Sequence, residues 1–260
     1  MSRFYTNVAV IGNTVYVREA VDGVPSMRKD TWSPTVYVRG KPKNSESTKF
    51  KTLYGEDVYS LQLGDIRSTK DFIAQYEGVD NFDIFGQLNY SLQYMNEYKP
   101  VGWLYSKLSS WAIDIETKVP EDDNGKTYFP TPDKADGELI CITLVNMHTG
   151  DAFTWGTGDY TGKDSHYTRC PDEKTLIKLF MQFWEQKRID IITGWNIGQF
   201  DLPYLYNRIT RVMGEEFTKR LSPWGKVSYR TKLFMGKTEY VVNITGVSVL
   251  DYIDLYKKYI

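Results

Sequence analysis

The stretch Ser109-Ser110-Trp111-Ala112-Ile113-Asp114-Ile115-Glu116-Thr117 sorts its side chains by parity. On a β-strand, residues two apart share a face. Trp111, Ile113 and Ile115 therefore make an apolar face suited to a core, and Ala112, Asp114 and Glu116 make the other. Two carboxylates ~7 Å apart along one strand face repel each other unless a cation lies between them. Oxygen-ligated divalent metals suit such a pair. A solvated surface strand carries the same pattern, so the surroundings must decide.

The strand is flanked on both sides by recognisable elements. Before it, Lys99-Pro100-Val101-Gly102 marks a boundary, which divides the chain into residues 1–102 and 103–260. In the first part, Phe4 to Ile11 and Thr14 to Arg18 around Gly12-Asn13 read as a hairpin, and Thr35 to Arg39 as a third strand. Lys41 to Lys49 reads as a loop. Ser68-Thr69-Lys70-Asp71 reads as the cap of a short helix beginning near Phe72, and Tyr90 to Met95 as a further strand. This part is β-rich and carries no cluster of chemical groups.

After the acidic strand, Val119 to Gly137 is rich in Pro, Asp and Gly and reads as a loop. Glu138 to Asn146 is a nearly continuous apolar strand, Ala152 to Trp155 its antiparallel neighbour, and Gly156 to Pro171 a polar loop. Asp172 to Lys187 is a helix with Leu176, Leu179, Phe180, Phe183 and Trp184 in one stripe. Ile189 to Thr193 is a short strand. A helix is expected from Leu202 to Leu221, with Pro203 in its first turn and Leu205, Ile209, Val212 and Met213 on its core face. Val227 to Thr231 and Glu239 to Ile244 form a hairpin around Met235-Gly236-Lys237, followed by a strand at Val247 to Leu250 and a helix-like end.

Of the 260 residues, 41% are hydrophobic, enough for real cores. The net charge of −1 excludes a global basic field, so any nucleic-acid contact is local or runs through metal. Aromatic residues are abundant and suit base stacking as well as cores. Cys141 and Cys170 offer no disulfide framework. Cys141 is expected to be a buried thiol in a reducing cytosol. No signal peptide or membrane-spanning run is present in the sequence. His148 and His166 read as surface residues.

A second carboxylate follows the strand at 189–193. Asp201 ends Asn196-Ile197-Gly198-Gln199-Phe200-Asp201 at a helix start, where free N–H groups orient an anion. An ordinary capping aspartate looks the same in isolation. In combination, Asp114-Ile115-Glu116 resembles the first proofreading-exonuclease motif of B-family replicative DNA polymerases, and Asn196 to Asp201 the second. Tyr206-Asn207-Arg208, Arg220-Leu221-Ser222-Pro223 and Val249 to Lys258 are similar to the T-even-type phage members of that family. The resemblance is strong over the exonuclease part and weaker over residues 1–100.

The resemblance implies an α/β (α+β) chain, with a β-rich N-terminal domain followed by a ribonuclease-H-like exonuclease domain, truncated at its C-terminal side. It implies two-metal 3′→5′ hydrolysis of a primer end with Mg²⁺ or Mn²⁺. Asp114, Glu116 and Asp201 would be metal-holding catalytic residues, and Asn196 would orient the terminal nucleotide. Phe200 would pack either on the terminal base or in the core. The hairpin near Met235 matches a strand-separating hairpin, or is a plain connector. Implied partners are single-stranded or primer-template DNA, a remaining polymerase segment and replication proteins, with no membrane, in the cytoplasm of a host cell. A third motif, Tyr-x-x-x-Asp on a later helix, does not follow Asp201, and Asp251 and Asp254 read as structural. The chain is then a cloned fragment or one half of a polymerase encoded in two pieces, weakly active or inactive alone and prone to pair with the missing piece. The alternative is a single-strand-binding module that docks onto a separately encoded polymerase half. A stand-alone nuclease and a scaffold fit the acid pattern less well.

Overall fold

The computed structural model describes residues 2–42, 48–234 and 236–259. The chain forms two compact units, Met1–Trp103 and Leu104–Ile260.

In the first unit, β1 (Arg3–Ile11) and β2 (Thr14–Val21) form the expected hairpin, and β3 (Val24–Asp30) extends it to three antiparallel strands. Gly12 holds φ 61° at the turn, a conformation that side chains disfavour. β4 (Thr35–Arg39) is a strand as expected but belongs to a second sheet. It pairs with β6 (Asp57–Gln62) and β7 (Ile84–Phe85), and β5 (Lys49–Lys51) pairs with β6. Residues 43–47 of the expected loop lie outside the described residues, and Lys49 already belongs to β5.

Helix α1 (Ile66–Tyr76) starts one turn earlier than expected. The Asp65 carboxylate accepts the Ser68 N–H at 2.7 Å, so Asp65 is the cap and Ser68 lies inside the helix. The expected strand at Tyr90–Met95 is instead helix α2 (Tyr90–Tyr98). Asn89 caps it through the Leu92 N–H, and the residues it buries, Tyr90, Gln93 and Tyr94, recur at helical spacing. Tyr90 and Tyr94 join Val15, Val17 and Ile66 in the core of this unit.

The second unit is built on a six-stranded mixed sheet flanked by helices, the fold class implied by the sequence. Its strands are β8 (Ser110–Thr117), β9 (Leu139–Asn146), β10 (Ala152–Gly156), β11 (His166–Arg169), β12 (Ile191–Gly194) and β15 (Ser248–Asp251), in the order β11-β10-β9-β8-β12-β15. β8, β9 and β10 run antiparallel in sequence, whereas β12 is parallel to both β8 and β15. β11 lies inside the expected polar loop and runs parallel to β10 at the sheet edge, where a polar strand is tolerated.

Trp111, Ile113 and Ile115 are 2%, 3% and 6% exposed, which confirms the face assignment of the opening stretch. They pack with Leu139, Ile142 and Leu144 of β9 and with Leu176, Phe180 and Trp184 of helix α3 (Glu173–Lys187). Burying each such side chain contributes about 1.5–3 kcal/mol before conformational entropy is subtracted. Leu179 and Phe183 flank this core rather than lying within it.

The expected single helix over 202–221 is broken. Helix α4 (Asp201–Met213) stops at Gly214, whose φ of 89° ends the helical path, and α5 (Glu215–Thr218) and a 3₁₀ turn at Lys219–Leu221 follow. Leu205 and Ile209 are buried, with Val212 and Met213 packed against the same core. The strands β13 (Val227–Phe234) and β14 (Lys237–Ile244) form the expected hairpin, whose tip residue Met235 lies outside the described residues. Helix α6 (Tyr252–Tyr259) follows β15 directly. Among the described residues, no helix is long and apolar enough to cross a membrane.

Candidate active site

β8 places Asp114 and Glu116 on the face opposite the core. β9 supplies their cross-strand partners, Thr143 beside Asp114 and Cys141 beside Glu116. Cys141 is therefore half-buried on the polar face, not a core thiol, and Cys170 is the buried cysteine. Burial pushes the Cys141 thiol up, and the charges of Glu116 and Asp114 push it further. Beyond Thr143 the same face continues as hydroxyls: Thr143 to Thr154 at 3.0 Å and Thr154 to Ser165 at 2.7 Å.

β12 decides what happens on the other flank of β8. It pairs in parallel with Ser110 to Ala112 and then leaves the sheet at Gly194. Gly194 has no room for a side chain, because a Cβ there would sit 2.5 Å from Ile197 Cγ2 and 2.7 Å from the Ile113 carbonyl oxygen. Once β12 has left, the Ile115 N–H lacks a strand partner. The Asp201 carboxylate takes its place and accepts that N–H at 3.1 Å through Oδ1. A residue 86 positions away in sequence thus meets the backbone between Asp114 and Glu116.

Asp201 opens α4 and is only 5% exposed. Burial raises its pKa to about 6, the Asp114 charge and, to a lesser extent, that of Asp251 add to the rise, and its own N–H and that of Ile115 oppose it. Asp114 keeps an exposed side chain, yet partial desolvation by its surroundings raises its pKa as well. Two carboxylates destabilised in their charged forms by desolvation, with the Asp114 charge felt at Asp201, make a set that a hard divalent cation would relieve. In that respect the residues fit Mg²⁺ or Mn²⁺. Glu116 is exposed on the same face, but among the described residues no group of three or more His, Cys, Asp or Glu side chains gathers closely enough to hold a metal ion. The structure brings Asp114 and Asp201 together and does not close a three-acid cluster.

The loop between β12 and α4 carries the remaining candidates. Asn196 adopts φ 59°, and its carbonyl accepts the N–H groups of Gln199 and Phe200, both at 3.1 Å. Ile197 is buried and anchors the loop to the core. Phe200 packs against that core between Phe129 and Tyr204, with ring centroids 5.5 Å from each. Phe129 is 77% exposed, so this aromatic group also presents a ring to solvent.

Two contacts of this loop were not read from the sequence. The Gln199 side chain bonds the backbone of Tyr240 on β14 in both directions, donating to its carbonyl at 3.3 Å and accepting its N–H at 3.1 Å, and so ties the hairpin to the loop. The Asp251 carboxylate accepts the N–H groups of Asn196 and Gly198, each at 2.9 Å. The one available signal for the second contact was an aspartate directly after the strand predicted at Val247 to Leu250.

A family model for the exonuclease domain of DNA polymerase family B matches residues 87–260. The match begins on the residues leading into α2, within the first compact unit. The DNA-directed DNA polymerases of Enterobacteria phage T4 and Escherichia phage RB69 are each 28% identical to this chain over its whole length. The chain spans 31% of the length of these two relatives. A DNA polymerase catalytic subunit of Equine herpesvirus 2 is 37% identical over 105 residues, covering 36% of this chain and 10% of that protein.

Proposed function

This chain belongs to the exonuclease-domain family of B-family DNA polymerases, and from that premise we propose that its second unit serves 3′→5′ proofreading in a phage DNA-directed DNA polymerase. One observation carries the reading: Asp201 reaches the Ile115 N–H from 86 residues away and so brings the second acidic motif against the first. A capping aspartate with only a local role has no need of that contact.

In this reading Asp114 and Asp201 hold a divalent ion, Mg²⁺ or Mn²⁺, and Glu116 joins them from the same strand face. When bound, such ions supply an activated water and stabilise the departing 3′ oxygen. The chain's own residues do the rest. The Ile115 N–H orients the Asp201 carboxylate so that its second oxygen is available. Asn196 orients the terminal nucleotide, and Phe129 with Phe200, backed by the buried Tyr204, forms an apolar wall against which a frayed base can rest. The β13–β14 hairpin parts the primer end from its template, and the Gln199 bonds to Tyr240 couple that hairpin to the loop carrying Asn196. Single-stranded or primer-template DNA is the substrate, the remaining polymerase segment and replication proteins are the partners, and host cytoplasm is the setting.

The test is cleavage of a 5′-labelled, 3′-mismatched primer with Mn²⁺, beside Asp114→Ala and Asp201→Asn. Stepwise shortening from the 3′ end, lost in both variants, supports the reading. Because no three-acid group is gathered among the described residues, slow turnover by the 260-residue chain is expected. The second reading is a single-strand-binding module that docks onto a separately encoded polymerase half. Salt-dependent binding with no metal-dependent cleavage under any of these conditions would establish it in place of the first.

A further inference from the structure

Asp251 is the last residue of β15 and sits beside Gly194 in the parallel β12–β15 register. It therefore lies beside the point where the chain leaves the sheet to form the Asn196–Asp201 loop. Its carboxylate takes three backbone N–H groups. Oδ1 accepts from Asn196 at 2.9 Å and from Ile253 at 3.0 Å, and Oδ2 accepts from Gly198 at 2.9 Å. The bond to Ile253 is local and would cap α6 by itself. The bonds to Asn196 and Gly198 cross 55 and 53 residues and serve a different loop. Gly198 is matched to this arrangement, since a Cβ there would lie 3.3 Å from Asp251 Oδ2.

The consequence falls on Asn196. Its φ of 59° is a conformation that L-residues adopt at a cost, although asparagine tolerates it better than most. A charge-assisted bond to its own N–H, and another two residues on, hold it there. From this turn the chain runs directly to Asp201. We infer that Asp251 is a positioning residue for the 3′-end site: it holds Asn196 in the left-handed conformation from which its side chain meets the terminal nucleotide. Asp251 itself touches no substrate. The inference rests on the roles given to Asn196 and Asp201 under the proposed function.

The probe is a single-stranded oligonucleotide with 2-aminopurine as its 3′-terminal base and fluorescein at its 5′ end, bound to the 260-residue chain in Ca²⁺. Aminopurine fluorescence reads the fraction of termini held, fluorescein anisotropy reads total affinity, and amide exchange reads Asn196 and Gly198. Asp251→Ala should expose both amides and lower the ratio of held to free termini roughly tenfold, the equivalent of about 1.4 kcal/mol. Total affinity should stay within about twofold, because contacts along the strand dominate it. Asp251→Asn keeps an acceptor for Asn196 and sets an amide against the Gly198 N–H, so it should restore most of the held fraction while Gly198 alone exchanges. Should Asp251→Ala fail to fold, Asp251→Asn carries the test: a partial loss of held termini with Gly198 exposed supports the inference. Exposed amides with an unchanged held fraction, in either variant, overturn it. So does a parallel fall in held fraction and total affinity, which a merely structural role would give. A wild-type chain with neither an aminopurine signal nor Asp114-dependent cleavage overturns the proposed function and this inference with it. A wild-type signal that both variants retain overturns the inference alone.

Discussion

Replacing Asp201 by asparagine should stabilise the metal-free second unit at neutral pH. The Asp201 carboxylate is nearly enclosed, and its pKa is raised from 3.8 to about 6, chiefly by burial and then by Asp114. The sign follows from proton linkage. Below pH 3.8 the group is neutral whether the chain is folded or not, and it costs nothing. Between the two values the unfolded chain ionises while the folded one stays protonated, so stability falls as pH rises. Above pH 6 the loss is complete, at about 3 kcal/mol for a shift of this size at 1.36 kcal/mol per unit. Asparagine keeps an oxygen for the Ile115 N–H and removes the charge. Urea unfolding in EDTA, followed through the buried Trp111, Trp155 and Trp184, should show the two proteins alike near pH 4. Asp201→Asn should be more stable by up to about 3 kcal/mol at pH 7. Adding Mn²⁺ at pH 7 should narrow the gap by stabilising the wild type alone. A gap independent of pH, or a variant less stable than wild type in EDTA at pH 7, would refute the claim that Asp201 is held at the cost of its charge.

Further outcomes follow from the same sheet and its supports. Gly194→Ala places a Cβ 2.7 Å from the Ile113 carbonyl and should cost about 1–3 kcal/mol in chemical denaturation, lowering 3′-end cleavage as β8 shifts. Arg208→Ala leaves Glu173, its partner at 2.7 Å, largely enclosed and unpaired, and also frees the Ala135 and Asp136 carbonyls. A loss of about 3–5 kcal/mol is expected, and a loss below about 1 kcal/mol would mean that the pair is open to water. Gln199→Ala removes both bonds to Tyr240 and should speed amide exchange at Tyr240 by about tenfold or less, leaving the β8 amides unchanged.

Much of the second unit was legible because its patterns are local. The parity of Trp111 to Glu116 and the stripe from Leu176 to Trp184 each depend on one element meeting one core. What misled the reading was also local. Tyr90, Leu92 and Tyr94 alternate like a strand, but Asn89 caps the segment and Tyr90, Gln93 and Tyr94 are its buried face. Gly214 interrupts an otherwise continuous amphipathic pattern, and one glycine does not announce whether it will break a helix. Cys141 sits in an apolar run but on the outward parity of β9, so the run misleads and the alternation with Ile142 and Leu144 decides.

The candidate site was legible only as its separate pieces. Asp114 and Glu116 announce themselves by sharing a face, and Asp201 by preceding a helix, but neither pattern says that they meet. They meet because β12 leaves β8 early, after pairing only as far as Ala112, and the Ile115 N–H is left for a side chain to satisfy. A buried N–H without a partner is costly, so the departure of one strand creates a demand that the first residue of α4 meets. Asp251 does the same for the loop itself, taking two N–H groups that no strand reaches once β12 has ended. Both carboxylates are thus fixed by backbone groups that the sheet leaves unpaired at one strand end. The site's geometry is in this sense a property of where β12 stops, and a sequence read element by element shows the strand without showing the consequence of its end.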